Sequence, residues 1–256
     1  FEGADDYEKA ANGKSSVLDL LLPVVVLIAT CIIGLIYTGG FYDDTSEYFH
    51  DFMGAFSNAS SGAGLAIGSN ACPAQLRHKM AEFGIVSPVP MAKARVTGVG
   101  VGVSAHVSRM GYVSASPFHA PYTTRELFVI WLDAEQLAVV DASEGVPLEN
   151  GNYGRAWLPS PEVRVELEDG VTLPGVHSYV NRHGVLHDGT GTPRTHPGQR
   201  ELLTELLVGS PRLRELFGVT PEEFVARARA DRTRCEAGTR FFADEKRVTE
   251  SGLERY

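Results

Sequence analysis

Three groups of residues have the types and spacing that could carry chemistry, and the first is the tripeptide Gly68-Ser69-Asn70. It stands just ahead of a helix that we predict from Pro73 to Phe83. Glycine permits a tight backbone turn, and the N–H groups at the start of a helix have no partner within it. Such a turn suits a carboxylate or an oxyanion, so we predict Gly68, Ser69 and Asn70 as substrate-binding residues. An ordinary strand-to-helix turn is the alternative interpretation.

The second group centres on Glu144 in the segment VVDASEGV. Apolar residues at helical spacing predict a short helix over Asp133 to Gly145, which places Asp141 and Glu144 on one face. A carboxylate partly withdrawn from water at a helix end suits a general base. The alternative is an acid that remains in contact with water on the surface.

The third group is a set of histidines, spread over one loop-rich segment that includes the sequence HGVLHD: His177, His183, His187 and His196, with Asp188. Two histidines in one loop occur in some zinc sites. This segment lacks a helix to align the ligands and a cysteine partner. We therefore predict no metal site and no cofactor, and we interpret these histidines as ordinary surface or core residues.

The chain has two unlike parts; the second and third groups lie in the longer one, and the GSN tripeptide lies at the boundary between them. Residues 1–70 hold two basic and nine acidic residues and no arginine, whereas residues 71–256 hold 21 basic and 23 acidic residues. This break in composition predicts a boundary near residue 70. The net charge of −9 excludes the clustered basic surface that nucleic-acid binding requires. Three widely separated cysteines predict neither a disulfide framework nor a zinc site.

The N-terminal part contains an uncharged run from Leu20 to Tyr37. As a helix it would span about 27 Å, the short end of the range for a membrane span. A signal peptide or a buried core helix would have a similar pattern. The segment from Phe52 to Ser69 is rich in small residues, which predicts either a second spanning helix or a linker. We therefore expect association with a membrane through residues 20–37.

Two stretches of this part, Asp19 to Tyr42 and Ala55 to Ser69, resemble an internal piece of Na⁺/H⁺ antiporters of the NhaC type. The resemblance covers about residues 10–69. An antiporter needs many helices and ionisable residues along an ion path, and no charge lies within the run 20–37. Transport by this piece alone is not expected, and the join between two unlike parts suggests a chimeric chain.

The C-terminal part has the alternation and turns of a mixed soluble domain. Strands are predicted over Lys93 to Val103 and Glu126 to Leu132, and the pair Asp169-Gly170 predicts a hairpin within Glu162 to Val180. The glycines of KARVTGVGVGV lack the following helix of a nucleotide loop, so they indicate a bulge or close backbone approach. Two helices are predicted at the end of the chain, from Gln199 with a break and from Thr220.

The order of these motifs resembles the γ-glutamylcyclotransferase-like family over about residues 66–256. Its features are GSN ahead of a helix, then LDAEQLAVVDASEG, then Tyr153 before a strand. The resemblance implies an α+β fold, with a small mixed β-barrel over residues 70–190 and a helical extension over residues 191–256. One or two hydrophobic, transmembrane-like helices within residues 1–69 would precede it.

The resemblance implies a transferase or lyase reaction that releases 5-oxoproline from a γ-glutamyl amine or peptide. Glu144 would be the catalytic residue, while Gly68, Ser69, Asn70 and Tyr153 would bind this small-molecule substrate. The catalytic domain would be cytoplasmic, either free or anchored to a membrane. A non-catalytic binding module on the same fold is one alternative, and a membrane-tethered antiporter fragment is another.

The sequence departs from the family pattern at both sides of GSN. Ile67 replaces an aromatic residue and Ala71 replaces a leucine. The first strand must then be built from Gly62 to Ile67, whose small residues have low strand propensity. The prediction therefore requires this segment to form a strand through its neighbours.

Overall fold

The computed structural model describes residues 62–256 without a gap, together with the single positions 25, 26, 29, 30, 33, 37, 41, 42 and 50. The chain divides into two compact units, residues 1–60 and 61–256. The helix expected over residues 20–37 and the antiporter resemblance over residues 10–69 lie mostly outside the described residues. Among the residues that are described, no helix is long and apolar enough to cross a membrane. The boundaries at residues 69 and 190 stay predictions.

Six strands of the second unit form one mixed sheet in the order β4-β6-β1-β3-β2-β5. The strands are β1 (Ala63–Ala66), β2 (Met91–Val103), β3 (Ala115–Trp131), β4 (Tyr153–Pro159), β5 (Arg164–Leu167) and β6 (Gly175–Asn181). Neighbours are antiparallel, except that β1 runs parallel to β6. The α+β class is confirmed, but the sheet keeps β4 and β5 as edges and is a half-barrel.

The half-barrel curls because side chains from both edge strands reach one apolar cluster. Leu158 of β4 and Val165 of β5 are fully buried in it, together with Val96 of β2 and Val129 of β3. Strands at opposite edges of a flat sheet would be too far apart to share a core. Burial of these branched side chains therefore fixes the curvature of the sheet.

Strand β1 forms from the small residues that the family resemblance requires there. Leu65 lies opposite Val129 of β3 in antiparallel register, and Gly64 lies opposite His177 of β6. Ala63 and Ala66 are almost fully buried. The strand is stabilised by pairing on both sides, which outweighs its low intrinsic propensity. The predicted second spanning helix, which extended to residue 69, is therefore wrong over β1.

The glycines of β2 mark a bulge and close contacts, as predicted. The register with β3 shifts between Thr97 and Gly98, and Gly98 has a φ of +105°. A Cβ at Gly98 would collide with the carbonyl of Glu162, and one at Gly100 would collide with the ring of Phe118. Glycine is required at these positions because a side chain has no room.

Two predicted strands differ from the structure. Strand β3 begins at Ala115 rather than Glu126, because the prolines of its first half hide the alternation of a strand. The turn at Gly170 does form, with Gly170 N–H donating to the Leu167 carbonyl. The start of the second arm pairs with β5, since Leu167 N–H donates to the Val171 carbonyl and Leu173 N–H to the Val165 carbonyl. Its continuation, β6, pairs with β4 and β1 instead of β5. The neighbours of β6 were therefore determined by pairing between strands that are distant in the sequence.

The helices that position the site are α1 (Pro73–Ala81) and α2 (Ala134–Glu144), and the 3₁₀ helix Gly68–Ala71 precedes α1. Asp133 and Gln136 form a capping box at the start of α2, so this helix begins at a defined residue. Gly145, with a φ of +76°, ends it in the left-handed conformation. The two caps together place Glu144 in the last turn.

Four helices rather than two follow the sheet, and they frame a second core. They are α3 (Gln199–Gly209), α4 (Pro211–Phe217), α5 (Pro221–Ala230) and α6 (Arg232–Asp244). Helix α6 was not predicted because its exposed face is rich in charge, but it buries Phe241 and Phe242. The two-residue strands β7 (Val185–Leu186) and β8 (Val248–Thr249) pair with each other. Val103 of β2 belongs to the same core as these helices.

Candidate active site

A cavity of about 710 Å³ opens beside the 3₁₀ helix and is lined by all five residues predicted for the site. These residues are Gly68, Ser69, Asn70, Glu144 and Tyr153. The 3₁₀ helix, α1 and the end of α2 supply one wall. The loop between β2 and β3 contributes a second wall. The structure thus brings together residues that are up to 85 positions apart in the sequence.

The polar wall of the cavity is a three-residue cluster around Glu144. Lys79 Nζ lies 2.9 Å from Glu144 Oε1 and donates to Asn70 Oδ1 at 3.0 Å. Asn70 Nδ2 in turn donates to Glu144 Oε1 at 3.2 Å. The Lys79 and Glu144 side chains are only 16% and 14% exposed. Little water screens this ion pair, so the pair holds α1 and α2 together at the cavity.

Gly68 allows the turn that brings Asn70 into this cluster. Its φ of +62° lies in the left-handed region, and a Cβ there would meet no atom within 4 Å. Conformational freedom rather than space therefore favours glycine at this position. Asn70 follows within the 3₁₀ helix and is buried. The turn thereby aims the Asn70 amide at Glu144.

Asp141, one helical turn before Glu144, bonds to side chains of β4 and β6. Its carboxylate accepts a hydrogen bond from the Tyr179 hydroxyl at 2.7 Å and from Arg155 Nη1 at 2.7 Å. Tyr179 itself lines the cavity. Burial, followed by the bond to Asp141, raises the pKa of the Tyr179 hydroxyl. Tyr179 therefore remains a neutral phenol throughout the physiological pH range.

Tyr153 begins β4 and also lines the cavity. Burial raises the pKa of the Tyr153 hydroxyl to about 12, and the negative charge of Glu144 acts in the same direction. The side chains of Ser114 and Asn181 hydrogen-bond to this hydroxyl and oppose the shift. Tyr153 is thus a neutral group that can orient a ligand or hydrogen-bond to a developing oxyanion.

His106, in the loop after β2, also lines the cavity, and its side chain is almost fully buried. Asn181 Nδ2 lies 2.7 Å from His106 Nδ1. The ring packs edge-on to Tyr153 and stacks on His183, with centroid distances of 5.5 Å and 5.7 Å. Burial, followed by the nearby His183, lowers the pKa of His106 to about 4. The imidazole is therefore neutral at pH 7.

The four histidines considered as ligands make separate contacts. His183 bonds to Asn152, His187 to the carbonyl of Lys246, and His196 to the carbonyl of Val113. His177 packs against Trp157 instead. In the described part of the chain, no three His, Cys, Asp or Glu side chains are grouped to hold a metal ion.

Sequence analysis missed Lys79, His106, Asn181 and Tyr179 as members of the site. Lys79 had a signal, because Gln75 and Lys79 are four residues apart on one face of the helix that follows GSN, and both line the cavity. His106 and Tyr179 gave no such signal. Their positions depend on the pairing of β6 with β4 and on the path of the loop after β2.

Comparisons with known proteins give structural likenesses only. No protein-family model and no curated protein matches the sequence. A solved γ-glutamyl cyclotransferase is 16% identical, covering 66% of this chain and 86% of its own, with a TM-score of 0.40. An uncharacterized protein from Homo sapiens is 18% identical, covering 46% and 65%, with a TM-score of 0.38. YkqA from Bacillus subtilis is 18% identical, covering 60% and 51%, with a TM-score of 0.37.

The present chain spans less than two thirds of the length of the human and Bacillus chains. All three TM-scores are 0.40 or lower, so these likenesses carry no chemistry over to this chain. The resemblance of residues 10–69 to an antiporter finds no support in these comparisons. The chimeric interpretation finds none either.

Proposed function

We propose that this chain is a γ-glutamylcyclotransferase-like enzyme that releases 5-oxoproline from a small γ-glutamyl substrate. The observation that carries the proposal is the position of the Glu144 carboxylate in the cavity wall, beside the GSN turn and close enough to Tyr153 to affect its pKa. An acid–base carboxylate, backbone N–H groups and a neutral phenol are the groups that such an intramolecular acyl transfer requires.

In the proposed reaction the neutral α-amine of the γ-glutamyl group attacks the γ-carbonyl carbon, and Glu144 accepts the proton that this nitrogen loses as the new C–N bond forms. The C–N bond of the γ-amide then breaks. Glu144 returns the proton to the departing nitrogen, which leaves as a free amine. Because the ring closure is intramolecular, positioning in the cavity supplies much of the rate. Glu144 contributes on the order of 10²–10⁴-fold by acid–base catalysis.

Lys79 and Asn70 hold the Glu144 carboxylate in place during this sequence. Both side chains bind the same carboxylate oxygen, Oε1. Among the described residues, no side chain bonds to the second oxygen, Oε2. Oε2 is therefore the oxygen we assign to the proton transfer. The α-carboxylate of the substrate would bind at the GSN turn, next to the positive charge of Lys79.

A non-catalytic binding module is the second candidate, and the same ion pair favours it. Glu144 is already paired with the Lys79 ammonium group at 2.9 Å, so its carboxylate can serve to position a bound ligand rather than to move a proton. Such a cavity would bind γ-glutamyl compounds without turning them over.

Assay of the full chain against γ-glutamyl dipeptides and γ-glutamyl amines distinguishes the two candidates. Released 5-oxoproline is measured by chromatography, and binding is measured by calorimetry on the same panel. Turnover that is lost in Glu144→Gln supports the enzyme, whereas binding without turnover supports the binding module. A chain that neither binds nor converts any member of the panel excludes both.

A further inference from the structure

His106 is a buried titratable group in the cavity that the proposed reaction does not use. Its side chain is 4% exposed, and Asn181 beside it is fully buried. Burying polar groups costs free energy unless they are hydrogen-bonded. The hydrogen bonds of each polar atom therefore determine how the His106 and Asn181 side chains are oriented.

The Asn181 amide fixes which nitrogen of His106 carries the proton. Asn181 Oδ1 accepts a hydrogen bond from the backbone N–H of His183 at 2.8 Å, which turns the amide nitrogen toward His106. An amide nitrogen is only a donor, so His106 Nδ1 must accept at 2.7 Å. The neutral ring then carries its proton on Nε2. This assignment follows from the hydrogen-bond network.

His106 lines the cavity, and within residues 62–256 its Nε2 has no hydrogen-bond partner. Nε2 is not one of the fully buried atoms that lack a partner, so it retains access to solvent. The groups around the ring are His183 on one face and Tyr153 at an edge. Neither is charged at pH 7, so the Nε2–H is an uncharged donor without a partner among residues 62–256.

We propose that His106 donates its Nε2–H to the γ-carbonyl oxygen of the substrate, and that Asn181 is the positioning residue that fixes this tautomer. The inference rests on the proposed cyclotransferase function. The centroid of the Tyr153 ring lies 5.5 Å from that of His106. The negative charge of Glu144 raises the pKa of the Tyr153 hydroxyl, so Glu144 lies near this hydroxyl. The proposed contact places the reacting carbonyl between Glu144 and these two rings. A neutral hydrogen-bond donor at that position stabilises charge that develops on oxygen in the transition state.

The test compares His106→Ala, His106→Gln and Asn181→Asp in the full chain, with His78→Gln as an exposed control. His106→Ala should lower kcat by about 10²–10³-fold, the cost of one oxyanion donor, and change KM by less than threefold. His106→Gln should recover at least tenfold of that loss, because its amide N–H replaces Nε2–H. A structural role alone predicts no such recovery.

Asn181→Asp tests the positioning role. Its carboxylate would draw a proton onto Nδ1 and favour the charged imidazolium, so activity should fall at a higher pH than in the wild type. Nitrogen-15 NMR of the wild-type imidazole should show a proton on Nε2 and none on Nδ1 between about pH 5 and pH 9, since the pKa is about 4.

The results of these experiments distinguish failure of the His106 inference from failure of the proposed function. An active wild type whose His106→Ala variant keeps its kcat within threefold, or whose His106→Gln variant is no better than His106→Ala, overturns the inference. A proton on Nδ1 of the wild-type ring overturns it as well, whatever the activity. A wild type that converts no γ-glutamyl compound refutes the proposed function and the carbonyl contact together, while the NMR spectrum still decides the tautomer.

Discussion

Lys79 and Glu144 form an ion pair with an Nζ–Oε1 distance of 2.9 Å, although they are 65 residues apart in the chain. Lys79 belongs to α1 and Glu144 to the last turn of α2. The pair therefore joins the two helices at the cavity and fixes the carboxylate that we propose as the base.

Replacing Glu144 by glutamine should abolish turnover and leave the fold intact. Glutamine keeps the shape of the side chain and cannot accept the proton, so kcat should fall by about 10²–10⁴-fold. The measurement is 5-oxoproline release together with circular dichroism. Glu135→Gln, an exposed change on the same helix, is the matched control and should keep full activity. Retained activity in Glu144→Gln would refute the assignment.

Replacing Lys79 by methionine should impair both stability and activity. The change removes the cation from a poorly exposed carboxylate and breaks its bond to Asn70, at a cost of about 1.5–3 kcal/mol in the free energy of unfolding. Urea denaturation measures this loss. Lys79→Arg should retain more activity, and Lys93→Met on the exposed face of β2 should be neutral. Equal stability of Lys79→Met and the wild type would show that the pair contributes nothing.

Stability should fall as the pH falls from about 6.5 to about 4, and His106 should account for much of this loss. Its folded pKa is about 4, against 6.5 for an unperturbed histidine, because of burial and His183. In this window the unfolded chain binds a proton that the folded chain does not, so acid favours unfolding. The shift corresponds to about 3 kcal/mol.

Urea denaturation between pH 4 and pH 8 checks this prediction through the difference between the wild type and His106→Gln. The slope of stability against pH should be smaller in the variant, and His78→Gln should keep the slope of the wild type. His177 and His183 have pKa values lowered in the same direction by burial, so a residual slope is expected. An unchanged slope in His106→Gln would contradict the prediction.

Replacing Gly98 by alanine should destabilise the half-barrel. Its φ is +105°, and a Cβ would collide with the Glu162 carbonyl in the segment that leads into β5. A cost of at least about 1 kcal/mol is expected from the backbone conformation alone. The control is Gly209→Ala, at the last residue of α3, where an added Cβ would meet no atom within 4 Å. This change should be neutral or slightly stabilising. Thermal and urea denaturation measure both changes.

Several parts of the molecule could be predicted because they depend on short-range chemistry. The capping box at Asp133 and the left-handed Gly145 determine where α2 begins and ends, and both are visible as residue types in the sequence. The bulge at Gly98 was likewise indicated by glycines in a β-branched run. The roles of the predicted site residues stay predictions, although all five line one cavity.

Other parts depend on partners distant in the sequence and could not be predicted from it. Strand β1 is a run of small residues that pairs because β3 and β6 supply both of its neighbours. The continuation of the predicted hairpin, β6, pairs with β4 rather than β5, and α6 buries Phe241 and Phe242 despite its charged face. Burial between distant segments outweighed local propensity in each case.

By itself, the sequence determined the turn at Gly68-Ser69-Asn70, the helix that ends at Glu144 and the acidic net charge of the chain. These features follow from backbone conformation, capping and net charge, which act over a few residues or on the chain as a whole. Only the tertiary structure decided that Lys79 would bind Glu144 and that Asn181 would orient His106. Such contacts arise because the half-barrel folds strands and helices that are far apart in the chain around one cavity.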